Sequence, residues 1–125
     1  MAEIVKVVQS VSYGTKSHTN SENVTVQNVN IFEETVPDAS TDKEFLIAID
    51  VSEAKVVSIL ADQALTIKTN SSGAPQETIT LIANRPTIWQ VGDAALFAGD
   101  VSSIFVTNAS GSDTDLKIIV GVDVA

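Results

Sequence analysis

The sequence has no cysteine, a single histidine and very few aromatic residues. Without cysteine, the chain has no disulfide bond, no thiolate zinc site and no thiol nucleophile. Aromatic residues make up 5% of the chain, whereas hydrophobic residues make up 44%. The apolar content is therefore mainly Val, Ile, Ala and Leu, accompanied by many Thr and Ser residues. This composition is typical of β-strands with one buried face.

Positive charge is also scarce. Seven basic residues stand against sixteen acidic ones, a formal net charge of −9. This sign opposes binding to phosphate backbones and anionic bilayers, so we predict no nucleic-acid and no membrane partner. Glu3 and Lys6 interrupt the N-terminal apolar residues before they resemble a signal peptide, and no later run would span a bilayer. We expect a protein that is made and folded in the cytoplasm.

Apolar residues alternate with polar ones in segment after segment, and turn-forming residues separate the segments. Leu65 and Ile67 alternate in this way, as do Ile79 and Leu81. The pattern predicts an all-β fold, a β-sandwich of jelly-roll type with about eight or nine antiparallel strands. The length suits a single domain over residues 22–125, with residues 1–21 forming an N-terminal arm or first strand.

Two segments are less regular than the others. "EFLIAIDV" (44–51) is apolar nearly throughout, which predicts a central strand covered on both faces. In "DVSEAKVVSILADQAL" (50–65), some apolar residues have helical spacing and Ser52 is a possible helix cap. Because its neighbours are β, we favour a turn at 52–54, a strand through Val57 and Ile59, and a reversal at Asp62.

Catalytic constellations are hard to find. His18 lies in the polar stretch "TKSHTN", which promises no fixed geometry for a general base. Glu33 and Glu34 are adjacent, so in a strand they point to opposite faces and do not act as a glycosidase pair. We therefore predict a protein that is not an enzyme, with no cofactor and no small-molecule substrate.

The stretch "NASGSDTD" (108–115) combines an Asn-x-Ser triplet, a glycine and two carboxylates. We predict a hairpin turn in which Asn108 and Gly111 supply turn conformations. Asp113 and Asp115 provide fewer oxygens than a calcium loop requires, so no metal site is predicted. Whether these two aspartates bind a cation incidentally stays open at this point.

Trp89, Leu96 and Phe97 are the candidates for a partner interface. Trp89 is the one tryptophan, and a loop bearing Leu96 and Phe97 follows it between two glycines. Large apolar side chains on a loop anchor partners, and tryptophan is enriched at interface hot spots. The alternative is that Trp89 fills the sandwich core while Phe97 plugs its open end. The sequence does not separate these two interpretations.

The order of segments from about residue 44 to 119 resembles a family of small proteins encoded near the major capsid gene of tailed bacteriophages. The pieces that carry the resemblance are "DQALTIKTNSSGAP", "LIANRPTIWQ" and "IFVTNASG". The resemblance implies a head decoration, or cement, protein of β-sandwich or jelly-roll type. Such a protein is a homotrimer on the capsid surface of the virion that binds the major capsid protein and stabilises the shell.

Two other functions remain open alongside the capsid one. A phage tail or baseplate adaptor is compatible with the same resemblance. A carbohydrate-binding module is compatible with the sandwich, although one tryptophan and one tyrosine offer few rings for sugar stacking.

Overall fold

The computed structural model describes residues 2–123 and contains ten β-strands and no helix within them. The strands are β1 (Glu3–Tyr13), β2 (Lys16–Val26), β3 (Asn28–Val36), β4 (Lys43–Ile49), β5 (Ala54–Ala61), β6 (Leu65–Thr69), β7 (Thr78–Leu81), β8 (Thr87–Gln90), β9 (Val101–Thr107) and β10 (Thr114–Val122). All the pairings are antiparallel. The alternation of Leu116, Ile118, Val120, Val122 and Val124 predicts a final strand that continues to Val124, which lies outside the described residues.

Eight of these strands form two four-stranded sheets. One sheet has the order β3-β10-β5-β8 and the other β4-β9-β6-β7. The first strand of this set therefore pairs with the last, the second with the second last, and so on inward to β6 and β7. This nested pairing is the double Greek key of a jelly roll. The predicted all-β jelly-roll sandwich is confirmed.

The core lies between the inner faces of the two sheets. In β10, for example, Leu116, Ile118 and Val120 are buried, whereas the alternate residues Asp115 and Lys117 are exposed. Each inner-facing side chain is removed from water by the opposite sheet, which gives the free-energy gain that holds the layers together. The predicted alternation in β6 and β7 is confirmed by the burial of Leu65, Ile67 and Leu81.

The prediction that "EFLIAIDV" is a central strand is wrong. Its strand, β4, is the edge of its sheet and pairs only with β9. Ile49 is buried, but Leu46 on the opposite face is 79% exposed. The neighbouring segment is predicted correctly: the chain turns at 51–53, runs as β5 through Val57 and Ile59, and bends at Asp62.

β1 and β2 form a separate two-stranded hairpin that turns at Gly14, whose φ of 58° is in the left-handed region that glycine adopts easily. Its base packs on the outer face of the first sheet, where Val7 and Val26 are buried. A Cβ atom on Gly121 of β10 would lie 3.0 Å from a methyl carbon of Val26. The boundary predicted between residues 21 and 22 lies within β2, because the hairpin continues to Val26.

Candidate partner-binding surfaces

Trp89, Leu96 and Phe97 line one apolar pocket at an end of the jelly roll. The pocket has a volume of about 230 Å³, and its other walls come from Val51, Ala54, Val57 and Ala95. Trp89 enters from β8, where it pairs with Val57 of β5 and therefore shares that residue's inward face. The structure thus brings together all three residues that the sequence singled out.

The three side chains differ in burial. Phe97 is 8% exposed and belongs to the buried core, and Trp89 and Leu96 are partly buried against that core. This arrangement has features of both earlier interpretations, since Phe97 closes the core while Trp89 and Leu96 keep some surface. Among the described residues, the indole Nε1 of Trp89 is buried without a hydrogen-bond partner. A buried donor of this kind costs free energy until an acceptor reaches it.

Hydrogen bonds fix the loop that carries Leu96 and Phe97. The side-chain amide of Asn70 donates to the carbonyl oxygen of Asp100 (2.8 Å) and its oxygen accepts from the N–H of Ser102 (2.8 Å). The amide of Gln76 donates to the carbonyl oxygen of Gly99 (2.9 Å). The end of the loop is therefore tied to the turn after β6 through side chains that bind backbone groups.

Glu77 holds the same loop through its carboxylate. Oε2 accepts from the N–H of Ala98 (2.9 Å), and Oε1 accepts from the hydroxyl of Thr69 (2.7 Å) and the amide of Gln76 (3.0 Å). Partial burial opposes the charge, but these hydrogen bonds to the carboxylate outweigh it and hold the pKa of Glu77 below its ordinary value. The charged form is the one that fits this position.

A second carboxylate, Asp50, fixes the turn beside the pocket. It accepts hydrogen bonds from the hydroxyl of Ser52 (2.6 Å) and from its N–H (2.9 Å). These bonds hold the pKa of Asp50 below its ordinary value. Asp100 caps the same turn by accepting from the N–H of Val51, a residue of the pocket wall (3.0 Å). Polar side chains therefore preorganise the walls of an apolar pocket.

Sequence reasoning missed the polar residues that position the pocket. From the sequence, "NSSGAP" (70–75) predicts only a turn, yet Asn70 and the following Glu77 bind through their side chains to a loop more than twenty positions away. Asn70 also adopts a φ of 65°, which asparagine tolerates better than most residues. The available signal was an Asn at the start and a Glu at the end of one turn segment, but their partners depend on the tertiary structure.

The turn around Asn108 has a structural role. Asn108 is fully buried, and its amide donates to the carbonyl oxygens of Val36 (3.0 Å) and Ser112 (2.8 Å). Gly111 adopts the left-handed φ of 88° expected there, whereas Asn108 is not among the residues with positive φ. Asn108 therefore serves the turn through its side chain, which corrects half of the prediction.

The two aspartates of this turn bind other parts of the chain. Asp113 accepts from the N–H of Asp38 (2.9 Å), and Asp115 accepts from the hydroxyl of Thr35 (3.0 Å). Within residues 2–123, no group of three or more His, Cys, Asp or Glu side chains has a geometry suited to a metal ion.

The other residues weighed for catalysis lie apart. His18 is exposed on β2 opposite Val11, while Glu33 and Glu34 occupy β3 in the other part of the molecule. In the described part of the chain, no helix has the length and apolar character needed to cross a membrane.

The hairpin presents a second surface. Every residue from 8 to 23 is exposed, so both faces of its outer half are open to solvent. Val11 is 75% exposed and Tyr13 is 83% exposed. An isolated two-stranded hairpin is only marginally stable in water, and both of its edges offer unpaired backbone groups. The outer half of the hairpin therefore lacks the covering layer that its base and the strands of the sandwich have.

Comparison with known proteins gives no family. No protein-family model matches the sequence, and no curated protein matches it. One solved structure that resembles the chain is described as a de novo designed double-stranded β-helix determined by solution NMR. The two share 15% identity and a TM-score of 0.43, over 71% of this chain and 95% of the design.

Proposed function

We propose that the protein is a non-catalytic bacteriophage virion protein, a decoration or cement protein that binds the major capsid protein as a homotrimer and stabilises the shell. The proposal starts from the resemblance of segments 44–119 to that family. The observation that supports it in the structure is the preorganised apolar pocket of Trp89, Leu96 and Phe97. The pocket gives a rigid jelly roll a place to hold an apolar side chain of a partner.

The chemistry of the pocket suits a protein partner. Its walls are aliphatic and aromatic, and its volume of about 230 Å³ is sufficient for one large side chain. The indole N–H of Trp89 is buried and has no acceptor among the described residues, so docking would gain a hydrogen bond if it turned this group towards a carbonyl oxygen of the partner. Because hydrogen bonds already fix the pocket walls, little conformational entropy is lost when a partner docks.

The charge distribution is compatible with a place on the outside of a shell. The net charge of −9 disfavours contact with DNA, and three modest contacts from one trimer add up to tight binding through avidity. The protein then holds neighbouring capsid subunits together and stabilises the shell without a chemical reaction.

The test is co-sedimentation with heads and, separately, with tails purified from a tailed phage whose genome encodes the chain. We expect saturable binding to heads and heads that withstand higher temperature before releasing DNA. The Leu96→Ser variant should bind at least tenfold more weakly. Leu46→Ser changes an exposed residue on the outer face of β4, outside the pocket, and should bind as the unaltered chain does.

Trp89→Phe removes the indole donor while keeping an aromatic ring, so a loss of affinity with this variant isolates the hydrogen bond. Binding to tails in place of heads would support the adaptor function and contradict the capsid one. Equal binding by Leu96→Ser and Leu46→Ser would show that the pocket is not the docking site.

A further inference from the structure

The outer faces of the two sheets carry their apolar residues differently. On the β4-β9-β6-β7 sheet, Leu46 of β4 is exposed, but the outward residues of β6 and β7 are Thr66, Lys68, Thr78 and Thr80. On the β3-β10-β5-β8 sheet, Ile31, Ile119, Ser58 and Ile88 stand opposite one another in register across all four strands. We call this second set the isoleucine row.

The isoleucine row is incompletely covered by its own chain. Ile31 is 63% exposed and Ile119 is 37% exposed. The next row on the same face, which contains Gly121 and Val56, is covered by Val26 from the base of the hairpin. A cleft of about 370 Å³ remains between the hairpin base and the row, with Ile88 and Ile119 on its sheet side. The hairpin therefore covers one part of an apolar face and leaves the adjoining part open.

The outer half of the hairpin has the complementary character. We define the hairpin tip as residues 8–21. It exposes Val8, Val11 and Tyr13, and Lys16 is its one formally charged residue. In the hairpin as a whole, Lys6 and Lys16 balance Glu3 and Glu22, so the rest of the chain carries the entire net charge of −9.

The side of the same sheet is acidic on balance. Glu33, Glu34, Asp115 and Lys117 line a groove there, in which Glu33 pairs with Lys117 on the face of the isoleucine row and Glu34 pairs with Leu116 on the opposite face. The tip carries the positive charge of Lys16 beside three exposed apolar side chains, whereas the body that would receive it carries the net charge of −9, so the two surfaces are opposite in charge. Opposite charge brings the surfaces together, and burial of the aliphatic side chains supplies the affinity.

We infer that the hairpin tip of one copy docks on the isoleucine row of a second copy of this chain. Each copy then gives one tip and receives one, which is the head-to-tail type of contact from which rings such as trimers are built. The tip gains the covering layer that it lacks, and the outer face of the sheet becomes covered from the hairpin base across to β3. This inference rests on the proposed function for the trimer and is independent of the capsid.

The test uses the absence of cysteine, since any cysteine introduced is the one thiol in its chain. Val11→Cys and Ile31→Cys variants are purified separately, mixed, and treated with a short bismaleimide. We expect a cross-linked species of two chains, at least tenfold more abundant than in a mixture of Val11→Cys with Leu46→Cys. Leu46 is as exposed as Val11, but it lies on β4 of the other sheet.

A second measurement keeps the result interpretable. Light scattering after size exclusion should give a multiple of 13.2 kDa for the unaltered chain and 13.2 kDa for a Val11→Ser, Tyr13→Ser double variant. Both side chains are exposed, so thermal unfolding followed by circular dichroism should show that this variant stays folded. A monomeric unaltered chain, an unchanged mass of the double variant, or equal cross-linking to Ile31→Cys and Leu46→Cys would each overturn the inference.

The two proposals fail in different ways. An assembly that forms through the tips but does not bind heads contradicts the capsid function and supports the inference about the second copy. Heads that bind a chain whose tips do not cross-link to the row contradict the inference alone.

Discussion

Strand β10 and the outer half of the hairpin both contain aliphatic residues, with opposite results for their burial. In β10, Leu116 and Ile118 are at most 2% exposed, whereas Val8 and Val11 in β1 are 51% and 75% exposed. Both segments favour extended backbone, and both are fully paired along their length. The difference is that β10 has a second sheet across from it and the tip has none. Pairing makes a strand, and a second layer makes a core.

The largest expected effect lies at the centre of the sandwich. Leu116→Ala leaves a cavity among fully buried neighbours and should lower the free energy of unfolding by about 2–5 kcal/mol. Val11→Ala removes apolar atoms from the exposed tip and should change the free energy of a monomer by less than about 0.5 kcal/mol. Chemical denaturation at low protein concentration measures both. A similar loss for the two variants would show that the tip is buried in the chain's own fold.

The next effect concerns a polar residue of the core. Asn108→Ala leaves the carbonyl oxygens of Val36 and Ser112 without their donor in a buried turn. The expected loss is about 1–3 kcal/mol for each group that stays unsatisfied. Asn20→Ala is the matched control, because Asn20 is an exposed asparagine in the hairpin, and it should be near neutral. Equal stabilities of the two variants, measured by thermal unfolding, would contradict the role assigned to Asn108.

The junction between the two regions gives an intermediate effect. A Cβ at Gly121 would lie 2.7 Å from a methyl carbon of Val56 and 3.0 Å from one of Val26. Gly121→Ala should therefore push the hairpin base away from the sheet and cost about 1–3 kcal/mol. Relative to the unaltered chain, the variant should show faster hydrogen exchange in β1 and β2 and little change in β6. Unchanged exchange in the hairpin would mean that its base is held elsewhere.

The smallest effect depends on pH. The pKa of Glu77 is lowered in the folded chain, so the unfolded chain binds its proton at a higher pH than the folded one. Its contribution to stability is therefore present above the unfolded value of 4.5 and is lost as the pH falls through the lower folded pKa. Glu77→Gln should flatten this part of the stability profile and loosen the Leu96 loop. A profile with the same acid slope as the unaltered chain would contradict this assignment.

The prediction from sequence succeeded where burial follows from local alternation. β6, β7 and β10 each carry apolar residues at every second position, and the structure buries these residues, Ile79 and Val122 only in part. The prediction failed at β4, where a nearly continuous apolar run indicated a central strand. An edge strand also accepts apolar residues on its outer face, as the exposed Leu46 shows. The segment itself does not decide whether a second strand pairs with its other edge or a layer covers its outer face.

The sequence by itself determined the all-β class and the positions of most turns, because these depend on contacts between near neighbours and on residue type. It also indicated Trp89, Leu96 and Phe97 by their residue type, whereas the pocket that they form depends on the packing of β8 against β5. Only the tertiary structure decided that Glu77 and Asn70 hold the pocket loop, that Asn108 is buried, and that the hairpin covers part of one sheet face. These features join segments far apart in the chain. Their partners are brought together by the nested pairing of the jelly roll, which places the first strands of the sandwich beside the last.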